Sequence, residues 1–245
     1  MLEKSSTSYF RTVWEKYNPE NLTNEGLEGN ILLFGKSTDL YHRLTEKISK
    51  ESKFKVILVR PGHGYCKLDN MYEINPDNKE DYKRLIDDLI NSHIMPHKII
   101  HMWSEQLFIE NGEHVNQQLT EGLFSLLYLS KALNENKSEK KIEIIYAFNG
   151  RNDQQPLYAA VSGFAKTLRL ENPKLQLKTV DLQNSPYDIS ITKLIDILLR
   201  RNFMKDENIL EIKCEGDEFL VKREKKLLLL NLMILPLCLK TMEFI

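Results

Sequence analysis

The sequence predicts an α/β protein built on a parallel, doubly wound sheet with a C-terminal hairpin. Three observations point there. Short runs rich in Ile, Leu and Val recur along the chain. Stretches of helical period separate them. The runs are continuously apolar rather than alternating, as expected for strands covered on both faces, and the helices supply the crossovers that parallel strands require.

The elements follow in order. YFRTVWE near the start reads as a strand or extended arm, and the polar stretch KYNPENLTNEGLEG as a linker. NILLF (30–34) is a strand and DLYHRLTEKISK (39–50) a helix. FKVILV (54–59) is a strand ended by PGHG (61–64). NMYEI (70–74) is a short strand, and NKEDYKRLIDDLINS (78–92) an amphipathic helix with a solvated charged face. KIIHMW (98–103) is a strand, and one long helix is expected over about 113–135. KIEIIYAF (141–148) and LQLKTVDL (175–182) are strands, while PLYAAVSGFAKTLRLE (156–171) and ITKLIDILLRR (191–201) are helices. ILEIKCEGDEFLVKRE then reads as a hairpin with Gly-Asp at its turn. The chain shows no internal repeat. Three parts are expected: an N-terminal strand and linker (1–29), the α/β unit (30–224) and an unassigned apolar tail (225–245).

Composition narrows the function classes. Hydrophobic residues make up 42% and charged residues 28%, an ordinary globular balance. The formal net charge of -1 offers no electrostatic case for nucleic acid or an anionic membrane. Cys66, Cys214 and Cys238 lie far apart and form no C-x-x-C pair, so they read as reduced thiols of a cytoplasmic protein. MLEKSSTSYF lacks an apolar signal core, and no stretch reaches the roughly 18 apolar residues of a membrane span.

The step from NILLF through Gly35 into a helix is where a dinucleotide-binding protein places its glycine-rich turn. Such a turn needs glycines for tightness, for backbone approach to the pyrophosphate and for helix–strand packing. In the spacing G-x-x-x-G-x-G from Gly35, the other two positions hold Asp39 and Tyr41. Asp39 suits the positive end of a helix dipole but would repel a pyrophosphate, and the Tyr41 ring would block close approach. The turn therefore reads as a capped strand–helix junction with no cofactor site.

The acid–base machinery of a short-chain reductase is also incomplete. That chemistry needs a tyrosine, a lysine four residues on to lower its pKa, and a serine about a dozen residues upstream. Tyr158 is suitably placed, but Ser162 stands where the lysine is needed, and Lys166 is two turns along. No serine lies between Ser138 and Ser162. Tyr158 reads as a packed helix residue. His101, inside an apolar strand, reads as a hydrogen-bonded core histidine. His42 and His63 have no partners at metal-ligand spacing. Gly62 and Gly64 form a turn after a strand rather than an anion nest, and Arg60 reads as a surface contact. No catalytic, cofactor-binding or metal residue is assigned.

YFRTVWE, NILLFG, NKEDYKRLIDDL, PHKIIHMW, EGLFSLLYLSKAL, QPLYAAVSGFAKTLRLENPKLQLKTVDL and EIKCEGDEFLVKRE together resemble the N-terminal half of a ketoreductase domain from a modular polyketide synthase of the trans-acyltransferase type. The resemblance covers roughly residues 8 to 224. PHKIIHMW combined with P-x-Y-A-x-x-x-G-F-x-K-T-L-x-x-E-N-P is its most specific part. It implies a degenerate Rossmann-like, short-chain-reductase fold that has lost its cofactor site. It also implies a structural role in polyketide biosynthesis, a branch of secondary metabolism. The implied partner is the catalytic ketoreductase subdomain, whose NADPH-dependent chemistry reduces carrier-bound β-keto thioesters.

Two features depart from that pattern. No second α/β unit follows the hairpin, and KKLLLLNLMILPLCLKTMEFI does not resemble the family. Its leucine-rich run of about 13 residues is broken by Pro236 and is too short to span a bilayer. Two further readings stand beside the structural one: a divergent reductase acting on β-keto thioesters itself, and a module whose degenerate pocket holds another ligand.

Overall fold

The computed structural model describes residues 9–17, 29–49, 55–104, 112–136, 141–150, 156–183, 189, 192–195, 197, 206, 208–216 and 218–227. Its ten strands are β1 (Tyr9–Lys16), β2 (Asn30–Phe34), β3 (Val56–Pro61), β4 (Cys66–Leu68), β5 (Met71–Ile74), β6 (Pro96–His101), β7 (Ile142–Phe148), β8 (Leu175–Asp181), β9 (Glu211–Glu215) and β10 (Glu218–Leu227). The helices are α1 (Thr38–Ser49), α2 (Lys79–Asn91), α3 (Gly112–Leu119), α4 (Ser125–Glu135) and α5 (Pro156–Glu171). Residues 192–195 and 197 of the helix expected at 191–201 are helical, and its other residues lie outside the described ones.

All ten strands form one sheet in the order β1-β10-β9-β8-β7-β6-β2-β3-β5-β4. From β9 to β5 every neighbouring pair is parallel. The sheet is mixed rather than wholly parallel, because β4, β10 and β1 add antiparallel pairs at its two ends. The β9–β10 hairpin is the one expected from the sequence. Gly216 at its turn has φ +55, a left-handed conformation that glycine adopts without steric cost.

The strands take their place because their side chains go both ways into apolar layers. Ile31, Leu32, Leu33 and Phe34 are all fully buried. Ile31 and Leu33 join the layer that includes Leu40 and Leu44 of α1 and residues Leu194, Ile195 and Ile197. Leu32 and Phe34 join the opposite layer, with Tyr82, Leu85, Ile86 and Leu89 of α2, Leu126 and Leu129 of α4, and Val161 and Ala165 of α5. The two-residue period of a strand thus separates one apolar run into two cores, and the sheet is doubly wound.

Local chemistry fixes the helix ends. In α2 the Asn78 side chain accepts a hydrogen bond from the Glu80 backbone N–H at 3.1 Å, and Asp81 accepts one from the Asn75 N–H at 2.9 Å. Both satisfy donors at the start of the helix or in the loop before it. The long helix expected over 113–135 is interrupted. A π-helical turn, Thr120–Phe124, joins α3 to α4. The extra residue of a π turn shifts the side-chain register, and such turns occur often at functional sites.

Candidate functional site

In an open α/β sheet, ligands bind beyond the carboxyl ends of the strands where the strand order reverses. Here that point lies between β2 and β6. The chain leaves β2 through α1 towards β3 on one side. It leaves β6 through α3, the π turn and α4 towards β7 on the other.

The loop after β2 is filled by the protein itself. The Gly35 N–H donates to the Val59 carbonyl at 3.1 Å. A Cβ at Gly35 would already meet the side chains of Leu40 and Leu58 at 3.5 Å. The Ser37 hydroxyl accepts from the Asp39 backbone N–H at 3.0 Å, capping α1 with one of the donors that a phosphate would use. Asp39 is exposed and paired with Arg43 at 2.9 Å, and half-buried Tyr41 packs against the α1-side core.

Across the crevice, Lys36 reaches Glu121 of the π turn, Nζ to Oε2 at 2.6 Å. Gln117 donates to the other carboxylate oxygen at 2.9 Å. Both members of the ion pair are largely shielded, with side-chain exposures of 20% and 11%. The pair joins the end of β2 to the helix that follows β6, so a charged clasp spans the dinucleotide crevice.

Beneath it lies a buried polar and aromatic set. His101 ends β6 with Nε2 2.7 Å from the Ser125 hydroxyl. Phe34, Trp103 and Tyr146 surround its ring at centroid distances of 5.1, 5.3 and 5.7 Å. Burial, reinforced by the positive charge of Lys36, pulls the imidazole pKa down to about 3, so it is neutral near pH 7. Tyr146 donates its hydroxyl hydrogen to Ser104 at 2.8 Å. Gly122 makes room for that bond, since a Cβ there would lie 3.0 Å from the tyrosine oxygen and 3.1 Å from the serine oxygen.

The residues audited for reductase chemistry do not converge. Tyr158 is buried, with its ring 5.6 Å from that of Phe148. Burial, helped by the charge of Glu121, raises its hydroxyl pKa to about 12, opposite to the direction a proton donor needs. Lys166 is exposed and lies 3.7 Å from Glu211, beside β9. Ser138 is outside the described residues. Arg60 points to Glu73 of the neighbouring strand at 3.8 Å, and a Cβ on Gly62 would meet Glu73 at 3.2 Å. His42 and His63 are exposed. Among the described residues, no three His, Cys, Asp or Glu side chains are grouped to hold a metal ion. No described helix is long and apolar enough to cross a membrane. A groove of about 390 Å³ lies elsewhere, between α5 and the β9–β10 hairpin, and its Glu211 and Lys222 already pair at 2.8 Å.

Sequence reasoning missed Lys36, Glu121, Ser104, Ser125 and Tyr146. The one local signal was Glu121-Gly122, a carboxylate and a glycine placed inside an otherwise helical stretch.

A doubly wound sheet whose switch point is bridged by the Lys36–Glu121 ion pair defines a Rossmann-type scaffold. Residues 29–201 match the family described as "Beta-ketoacyl synthase-like, N-terminal", and the chain belongs to that family. No curated protein sequence matches it. In fold it is similar to the N-terminal ketoreductase of a macrolactin assembly line, at 22% identity and TM-score 0.75 over 89% of this chain and 45% of that one. It is also similar to a C2-type ketoreductase of a modular polyketide synthase, at 15% identity and TM-score 0.58 over 91% of this chain and 44% of that one. A Serratia marcescens short-chain dehydrogenase/reductase aligns at 10% identity and TM-score 0.53, over 76% of this chain and 95% of that one. The fold is thus the one shared by polyketide-synthase ketoreductases and short-chain reductases. The chain spans less than half the length of the two ketoreductases.

Proposed function

We propose that this chain is the non-catalytic structural half of a polyketide synthase ketoreductase. It packs against the catalytic half and stabilises it, while that half uses NADPH to reduce carrier-bound β-keto thioesters. Residues 30–224 form the subdomain, 1–29 its N-terminal strand and linker, and 225–245 an unassigned tail whose first three residues complete β10. The proposed setting is a cytoplasmic assembly line. The clasped crevice carries this reading. Lys36 and Glu121 span the place where a pyrophosphate would lie, and Leu40 packs beside Gly35.

Three measurements test the proposal. Calorimetric titration of the chain with NADPH is expected to show no binding at micromolar concentrations, and the chain alone should not oxidise NADPH in the presence of a β-keto thioester. A micromolar dissociation constant, or turnover abolished by Tyr158→Phe, would establish the divergent-reductase reading instead. Co-expression with a matching catalytic half should raise the soluble yield and melting temperature of both, because a ligand of the folded state stabilises it by mass action. No gain from any such partner would sink the structural-half reading.

A further inference from the structure

Strand β1 ends the sheet. One of its edges pairs with β10, and among the described residues no strand pairs with the other. Its ladder shows which residues face outwards. The Tyr17 N–H donates to the Phe219 carbonyl at 2.8 Å, and this pair continues the register of Lys16 with Leu220. In an antiparallel pair, hydrogen-bonded positions alternate. The odd-numbered residues of β1 therefore bond to β10. Phe10, Thr12, Trp14 and Lys16 direct their backbone N–H and C=O groups to the open edge.

That edge carries the charges of Arg11, Glu15 and Lys16 but is neither short nor broken by proline. Tyr9, Phe10 and Trp14 are exposed aromatics. The strand is eight residues long and contains no proline. Natural edge strands are usually shortened, bulged or interrupted to prevent pairing. β1 and β10 also reach past the rest of the sheet. β9 pairs only with Glu218–Val221, while β1 follows β10 to Leu227. The projecting ribbon leaves room for another strand alongside.

The sequence of β1 complements itself in one antiparallel register. A two-fold axis at Val13 sets Thr12 opposite Trp14 and Phe10 opposite Lys16, joining outward-facing groups to outward-facing groups. The same register sets Arg11 opposite Glu15 twice, at the closer, non-hydrogen-bonded positions where opposite charges attract best. Centring the axis on Thr12 or Trp14 keeps the hydrogen bonds but loses both charge pairs. Glu15 also lies 3.9 Å from Arg223 and contacts Lys225 of its own chain, so its charge is shared between those cations and the facing Arg11. Two copies of Arg11 and Glu15 would still alternate in sign across the junction.

We propose that two copies of this chain associate through their β1 edges, antiparallel about Val13, to form one continuous sheet. This goes beyond the structural-half reading and does not depend on it. A two-strand junction is small, so the dimer is weak and forms in the micromolar range.

The test is sedimentation equilibrium of the full chain up to roughly 0.1 mM, a range suited to small interfaces. Arg11→Glu places a carboxylate opposite Glu15 of the other copy, while inside its own chain it faces Lys225 favourably. It should weaken dimerisation several-fold, since Arg223 and Lys225 beside Glu15 soften but do not cancel the repulsion, without lowering the melting temperature. Thr12→Pro removes an outward-facing donor that β10 does not use and should do the same. In a Cys66→Ser, Cys238→Ser background, Val13→Cys should form an intermolecular disulfide under mild oxidation, because residues on the axis face each other, and Phe10→Cys should not. A chain that stays monomeric at the highest concentration overturns the proposal. So does a dimer indifferent to Arg11→Glu and Thr12→Pro, one abolished by deleting residues 228–245, or one dissociated by Leu170→Lys on the exposed end of α5.

Discussion

Replacing Gly150 by alanine should destabilise the protein by about 3 kcal/mol, read as a fall in the free energy of denaturant unfolding. A Cβ at this position would stand 2.6 Å from Asp181 Cγ. The carboxylate is not a loose end that can swing away. It accepts from the Gly150 N–H, the Gln183 N–H and the Gln183 side-chain amide, each at 2.9 Å. To make room, Asp181 must give up part of that set, and hydrogen bonds to a charged group are each worth about 1.5–3 kcal/mol. These contacts also hold Gln183 at φ +48 at the end of β8. The double variant Gly150→Ala, Asp181→Ala removes the collision along with the bonds. It should therefore be less unstable than the sum of the two single variants, and strict additivity would show that the close approach is not the cause.

The second large effect is a pH dependence. Folding lowers the His101 pKa from its ordinary 6.5 to about 3, chiefly through burial. The unfolded chain therefore binds one more proton than the folded chain between those values. The stability tied to a neutral His101 is complete above pH 6.5 and declines as the pH falls towards 3. The slope approaches about 1.4 kcal/mol per pH unit, and about 2 kcal/mol is lost between pH 6.5 and 4.5. His101→Gln keeps a polar group beside Ser125 but cannot take up that proton. Its stability should fall more gently over the same window, by about one proton in the linkage slope, as read from denaturant unfolding at each pH. Parallel curves for the two proteins would mean that His101 takes no part in acid unfolding.

The sequence made some of this architecture readable and hid the rest for physical reasons. NILLF, FKVILV and KIEIIYAF are strands because a strand covered on both faces is mostly apolar, and such runs are visible without partners. The helix at Pro156–Glu171 was readable to its ends, where proline opens it and Asn172-Pro173 follows it. β4 was not readable. It has three exposed residues and exists only because β5 lies beside it. The antiparallel ends were also hidden, since the periodicity of a strand does not reveal the direction of its neighbour. The π turn escaped because one inserted residue barely disturbs a helical pattern read over twenty positions. For the site, Asp39 and Tyr41 in place of the loop glycines were visible in the sequence. The Lys36–Glu121 pair could not be seen, because its members meet only after the sheet has brought β2 and β6 together.

The pairing of β1 with β10 has a consequence for biosynthesis. Tyr9 leaves the ribosome before the rest of the described sheet, yet its partner Leu227 is the last described residue to emerge. The parallel core from β2 to β8 can assemble as each crossover is completed, and each closes a short loop. β1 cannot, because β10, the one strand paired with it among the described residues, does not yet exist, and joining them closes a loop that encompasses the whole core. During translation the exposed aromatics of Tyr9, Phe10 and Trp14 therefore remain on an unpaired segment for as long as the chain takes to reach β10. In a crowded polysome that interval favours capture by a chaperone or by a neighbouring nascent chain. Slower elongation after the codons for β8 should lengthen the interval and increase such encounters, while the order in which the inner strands fold stays the same.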